Sequence, residues 1–516
     1  MKPLIMPGVA ALAMVMVSCG SSGSSTPPPP PATGNFTNAG LQGTYSFSMS
    51  GADASANPGA FLARVGSFTA DGKGNITAGM EDLTDAGSNQ TVQFTGGTYA
   101  IQPNGKGTIT LNTLTGGLGL TIVLNSASKG VLIQADLNAT SSGTLLLQSA
   151  SAFTTTAISG GYAFDVSGTD ATGAPVSVVG QMATNGSGSI TGGIYDADDG
   201  GTLLAAQTFG AGGSYSLDAT NGATFGRGTM TFASRTFVFY IVDGTRIRLL
   251  EMDGQFFTLG DALQQSGAPT QAVAGSFVFL TGGASVLNGG SAVARAGRFT
   301  TDASGNVTNI QMDGNNNGSR TSITSSVTIS NAKFTIDTAN AGTGRGTLTF
   351  TATSGPSAGT YTFVFYLASA TQGVIQDTST GIVADGSMLA QTGTFAAANV
   401  AGNYVFNWSG INLTLGFEED FAGQYAQSGS GGIAGVVDFV ELASPSKRSP
   451  AFLDIPITGT FTINGDGTGA NNYTVTTGNS PSTTFNYRAY IGGSDTILLV
   501  GIDSTHTIAG SASVQP

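Results

Sequence analysis

Leu41-Gln42-Gly43-Thr44-Tyr45-Ser46-Phe47-Ser48-Met49-Ser50-Gly51 decides the fold, because its pattern of aliphatic, any, Gly, any, aromatic, any, Phe, three residues and Gly occurs four times. The other copies carry Ile158, Gly160, Tyr162, Phe164 and Gly168; Val273, Gly275, Phe277, Phe279 and Gly283; and Val400, Gly402, Tyr404, Phe406 and Gly410. A closing pattern of Gly, four residues and Gln is also fourfold: Gly143 and Gln148, Gly260 and Gln265, Gly386 and Gln391, Gly510 and Gln515. Self-similarity at a period of roughly 120 residues marks a tandem array. The expected modules are 35–150, 151–267, 268–392 and 393–516. Short links between complete units predict that each core closes within its own module, as four beads on a string, whereas the repeats of a solenoid depend on one another. Residues 152–267 are therefore expected to fold alone, and the other modules to survive deletion of the second.

Outward from Leu41, short runs alternate apolar and polar residues between Gly and Asn punctuation, which is the signature of strands and turns. Strands are expected near 42–50, 61–70, 75–83, 90–101, 106–113, 118–125, 130–136 and 142–148. The turns at 71–75 (DGKGN) and 104–107 (NGKG), with counterparts at 185–188, 302–306 and 465–467, supply the positive-φ residues of tight hairpins. The fold class is all-β. Eight hairpin-linked strands make either an up-and-down barrel or a β-sandwich. The meander favours the barrel, closed by pairing of the Gly-x4-Gln strand with the opening strand, which also removes exposed edges.

The order Gly43-Thr44-Tyr45, Gly51, then Phe68-Thr69-Ala70-Asp71-Gly72-Lys73-Gly74 resembles the first two strands of streptavidin-like and lipocalin-like barrels. The tryptophans that line those families' ligand sites are missing here, since Trp408 is the single Trp, so their ligands do not carry over.

Composition narrows the function. Of 516 residues 78 are Gly and only 9% are charged, yet 40% are hydrophobic, with 29 Phe and 13 Tyr, enough to build cores. The 17 basic against 30 acidic residues give a net charge of −13, which argues against nucleic acid as a partner. One His and one Cys leave little material for imidazole or thiol catalysis. No phosphate loop or paired Cys and His ligands occur, so the chain is not expected to be an enzyme.

Residues 1–18 read as an export signal: Met1-Lys2, then an apolar stretch from Leu4 to Val17, well short of the about 20 residues that span a bilayer. Met16-Val17-Ser18-Cys19 resembles the lipobox of bacterial lipoproteins, with Met16 in place of the usual Leu. That resemblance implies cleavage before Cys19 and lipidation of Cys19, hence a membrane partner through a lipid anchor. Gly20 after the cysteine resembles lipoproteins sorted to an outer membrane. Residues 19–34 then hold the lipidated Cys and a Gly/Ser/Pro tether, with Pro27 to Pro31 extended as polyproline II.

Candidate sites are sparse. An Asp recurs at the end of the third strand, as Asp82, Asp196, Asp313 and Asp438. The first three open the runs DLTDAG, DADDGG and DGNNNG, so that Asp82, Asp85, Asp196, Asp198, Asp313, Asn315 and Asn317 could offer oxygen ligands to calcium, the one cofactor suggested. The favoured reading is a hairpin turn held by Asx side chains, because Gln93, Gln207 and Thr324 stand where the bidentate Glu of a calcium loop belongs. His506 is expected in a solvated loop. Glu418, Glu419 and Asp420 are expected as a solvated charge cluster, and Lys447 and Arg448 as a basic loop tip. Tyr45, Phe47, Phe68, Phe94 and Tyr99 are core by default, or a pocket lining if the barrel is incompletely filled.

These features favour a non-enzymatic envelope lipoprotein whose β-modules bind, adhere or act as a spacer, toward a protein, glycan or small apolar ligand. The alternatives are an apolar-ligand carrier, a repeat-built hydrolase and a transmembrane barrel, the last suggested by a mean hydropathy of +0.14.

Overall fold

The computed structural model describes residues 34–54, 59–85, 87–444, 447–448, 451–475, 482–493 and 495–516. Cys19, the expected signal and the expected tether up to residue 33 lie outside the described residues. The fold is all-β: four antiparallel sheets, one per repeat, each of nine strands.

In the first module the strands are Gln42–Asp53, Phe61–Asp71, Asn75–Asp85, Ser88–Phe94, Gly96–Ile101, Lys106–Asn112, Gly117–Ser126, Lys129–Gln134 and Ala139–Leu147. The fourth and fifth are one expected strand broken at Thr95: Ser88–Phe94 pairs with the far part of Asn75–Asp85, and Gly96–Ile101 with its start. Eight staves result. The ends join as expected, with Gln42–Asp53 pairing with both Phe61–Asp71 and Ala139–Leu147, so the meander becomes a barrel. The second and fourth modules close the same way. The third is a half-barrel, which corrects the expectation of four closed ones. Its end strands Ser319–Ile323 and Ile329–Ile336 share no ladder, and a single bridge, Asn306 to Lys333, spans the gap.

Both sequence patterns have a steric cause. A Cβ on the closing Gly143 would lie 1.9 Å from the Ser48 carbonyl, and the equivalents at Gly260, Gly386 and Gly510 meet the opening strand at 1.9, 2.1 and 2.2 Å. Only glycine lets the first and last staves approach this closely. The opening Phe rests on another glycine: a Cβ on Gly66 would lie 2.4 Å from Phe47 Cζ, and Gly180, Gly297 and Gly423 lie likewise under Phe164, Phe279 and Phe406. The hairpin turns are Asx-held, as at Asp71, whose Oδ1 accepts the amides of Lys73 at 2.7 Å and Asn75 at 3.0 Å.

Alternation places one face of every stave inward. Each module therefore owns a separate core, such as Tyr45, Phe47, Phe68, Phe94 and Tyr99 with Ile109, Leu120, Ile122 and Leu145 in the first. The outward faces are also apolar where modules meet. Ala63, Val65 and Met80 pack on Val238, Tyr240 and Leu250; Val179 and Ile194 on Val364 and Tyr366; Ala294 and Ala296 on Tyr490, Leu498 and Val500. The fourth module returns to the first through Val405, Ala422 and Val440 against Val123, Val131 and Ile133. The modules thus form a closed ring rather than beads on a string.

Candidate functional site

The repeated Asp lies in the seams of this ring. Asp82 is fully buried and accepts from Arg227 Nε at 2.7 Å and Nη2 at 2.8 Å, from the Tyr240 hydroxyl at 2.7 Å and from Thr91 at 2.5 Å. Asp196 repeats this with Arg345 Nε and Nη2, both at 2.8 Å, and with the Tyr366 hydroxyl at 2.6 Å. Asp313 accepts from the Tyr490 hydroxyl at 2.8 Å and from Ser322 at 2.7 Å, while Asp438 pairs with Lys106 at 2.5 Å. Each acid belongs to one module and its principal partner to the next, with Asp438 reaching back to the first.

The closing glutamines do the same. Gln148 Nε2 donates to the carbonyls of Phe225 and Ile241, Gln265 to Thr343 and Leu367, Gln391 to Ile491, and Gln515 to Asn104 and Leu124.

The candidate calcium ligands therefore do not converge. The lone pairs of Asp82 and Asp196 are filled by guanidinium and phenol donors of the next module. Asp85 stands three residues from Asp82 on one strand, hence on the opposite face, and burial raises its pKa. Asp198 accepts the Gly201 amide at 2.8 Å, an Asx turn. Asn315 is a seam residue as well: its Nδ2 donates to the carbonyls of Asp503 at 2.7 Å and His506 at 2.8 Å. Asn317 sits at φ 50 beside Gly318 in a tight turn. Among the described residues no three His, Cys, Asp or Glu side chains cluster as a metal site.

Two of the cavities among the described residues bear on the remaining candidate acids and His506. An axial cavity of about 380 Å³ is lined by all four modules, including Ser50, Ser167, Gly168, Gly283, Asp385 and Glu418. The opening-pattern glycines Gly168, Gly283 and Gly410 face it, so the repeat leaves the ring axis open. Burial pushes the Asp385 carboxyl up to about 7, and burial with the nearby Asp420 charge pushes Glu418 well above the carboxylate range. Burial and the facing Asp385 likewise raise Asp165.

The other cavity, about 360 Å³, lies at one end of the fourth barrel among Phe421, Phe439, Phe452, Phe485, Glu419, Glu441 and His506. Here two expectations fail. His506 is not in a solvated loop: it begins the strand His506–Gln515, and its Nδ1 lies 2.6 Å from Glu419 Oε1. Glu418, Glu419 and Asp420 are not a solvated cluster either. They lie in the strand Phe417–Gln427, with Glu419 and Asp420 buried. Glu419 stands directly opposite Glu441 on the neighbouring strand, a like-charge pairing that costs stability unless a cation balances it. Burial raises Glu419. Burial alone would lower His506, but the bond to Glu419 and its charge outweigh this and raise it. Sequence reasoning missed the pair because Glu419 and His506 lie 87 residues apart, joined only by barrel closure.

Fold and seams together define an all-β protein of three closed barrels and one half-barrel joined in a ring. No protein-family model matches the chain, and no curated protein matches it significantly. Among solved structures it is similar to intact Ap-TbpB with its N and C lobes, at 10% identity over 75% of this chain and 83% of that one, with a TM-score of 0.17. Two mutant forms of the vaccine antigen transferrin binding protein B from Haemophilus parasuis Hp5 match at 10% and 9% identity. Each covers 75% of this chain and 82% or 83% of its own, with TM-scores of 0.17 and 0.18. At such scores the likeness carries no argument about architecture or function.

Proposed function

We propose that this protein is a non-enzymatic envelope lipoprotein, held by a lipid on Cys19 and lifted by the tether of residues 20–34, whose ring of barrels is a rigid binding platform. The observation that carries this reading is where the repeated residues go. The Gly, Phe, Gln and Asp of the fourfold patterns are used in barrel walls and seams, so repetition builds a scaffold, and the departures from it are where a ligand would be read. A small-ligand carrier is the second reading, favoured by the fourth-barrel cavity.

Replacing Cys19 by Ala should shift the protein from the membrane to the soluble fraction. Membrane retention of the variant, with no lipid mass on the mature N-terminus of the wild type, would overturn the anchoring.

A further inference from the structure

The four modules correspond residue by residue along the ladders they share, and at one end their interiors diverge. The opening Phe faces Gly66, Gly180, Gly297 or Gly423, so the inward residue two positions earlier is Arg64, Val178, Arg295 or Phe421. On the strand two staves before the closing one, the inward positions Leu118, Arg235, Tyr361 and Phe485 correspond in the same way.

Three barrels place an arginine inside this end and pair it with a buried carboxylate. Arg64 meets Glu81 at 3.0 Å, Arg235 meets Glu251 at 2.8 Å, and Arg295 is bonded to Asp377. In two of them an aromatic ring lies against the guanidinium, Phe256 at 4.0 Å and Tyr361 at 5.2 Å from the ring centroid. The fourth barrel has Phe at both arginine positions. The acids that pair those arginines are replaced as well, by Val437 at the position of Glu81 and Gly501 at that of Glu251 and Asp377, but two other carboxylates, Glu419 and Glu441, enter this end beside Phe421, Phe439, Phe452 and Phe485. Among the described residues lining it there is no lysine or arginine, and the cavity of about 360 Å³ occupies the end that an arginine fills elsewhere.

We infer that this end of the fourth barrel binds a small organic cation, an amine or guanidinium carrying an apolar group, which takes the place of the missing arginine. The cationic head lies against the Phe faces, whose ring quadrupoles attract positive charge. It also balances Glu441, the carboxylate opposed to Glu419, while His506 balances Glu419. The apolar group fills the remaining volume between Phe421, Phe439 and Phe485. This deepens, and rests on, the reading of the ring as a binding platform.

Calorimetric titration of the full mature chain in detergent with benzylguanidine, benzylamine and neutral benzyl alcohol tests it. Saturable one-to-one binding of both cations, at least tenfold tighter than the alcohol, is expected. Phe421→Arg, which restores the residue of the first and third barrels, should abolish binding and leave Tm unchanged or raised; Glu441→Gln should weaken binding about tenfold and guards against misfolding of the first variant. Lys447→Ala with Arg448→Ala should leave binding unchanged. Equal affinity for the alcohol, cation binding unaffected by both pocket variants, or binding that emerges only when Lys447 and Arg448 are removed would each overturn the inference. Flat titrations with a protein that Cys19→Ala releases from membranes would fail this inference alone. Saturable titrations with a protein that Cys19→Ala does not release would fail the lipoprotein reading alone.

Discussion

The seam between the first and second modules and the seam between the third and fourth use the same positions with different equipment. At the first, Asp82 is gripped by two nitrogens of Arg227 and the hydroxyl of Tyr240. At the other, Tyr490 stands where Tyr240 does, but Thr468 occupies the arginine position after the left-handed glycine, Gly467 for Gly226. Asp313 is left with Arg320 at 3.3 Å and Arg488 at 3.7 Å, both side chains more than one-third exposed. The return seam shows the reverse loss: Lys106 keeps the cation but Val123 replaces the tyrosine. A bidentate, buried guanidinium holds a carboxylate in one geometry, whereas a point charge or a solvated arginine does not. The ring therefore has two strong seams, at Asp82 and Asp196, and two weaker ones, at Asp313 and Asp438.

The largest effect should come from removing a strong-seam acid. Asp82→Ala strands the Tyr240 hydroxyl and leaves the Arg227 cation with Asp218 alone, 2.7 Å from Nη1, at about 3 kcal/mol. Asp313→Ala should cost markedly less, and equal losses in urea unfolding of the two variants would break the comparison. Next is the axis. The Asp385 carboxyl, raised to about 7 by burial, stays protonated in the fold while an unfolded one ionises near pH 4. Stability should therefore fall as pH rises from about 4 to about 7 and stay level above that. Asp385→Asn should remove part of this fall, gaining about 1–3 kcal/mol at pH 8 and nothing near pH 4. Thermal melts in which the difference between the two proteins does not grow from about pH 4 to about pH 8 would refute it. Smaller still, Tyr240→Phe should cost about 1 kcal/mol. Arg488→Ala should cost under about 1 kcal/mol and lose even that in high salt, as expected for an exposed pair.

Module architecture was legible in the sequence because its signals are local or sterically strict. Gly143 against Ser48 and Gly66 under Phe47 tolerate no other residue, so the pattern repeats. The half-barrel of the third module was not legible, since its end strands carry ordinary alternation and nothing marks a missing ladder. Nor were the seams. Asp82 and Arg227 lie 145 residues apart, and DLTDAG looks like a turn whether or not a guanidinium caps it. One signal was present all the same: Gly226-Arg227-Gly228-Thr229, Gly344-Arg345-Gly346-Thr347 and Gly105-Lys106-Gly107-Thr108 repeat a cation inside a glycine frame. Reading that turn only for its glycines hid the charge. The fourth barrel's pocket was hidden for the opposite reason, because it is defined by arginines that are not there.

Gln515, near the end of the chain, donates to Asn104 and Leu124 as Gln148 does to Phe225 and Ile241. Each module thus turns the path by a quarter of a circle and hands on the same grip, so the number of copies is set by closure and not by the length of the gene. A duplication to five or a loss to three would leave one acid and one glutamine facing water, and such a chain would have to seek its missing neighbour on another molecule. Order along the chain matters less than count. A gene cut between Gln148 and Ile158 and rejoined from Gln515 to Leu41 would still trace the same circle, starting from a different quarter.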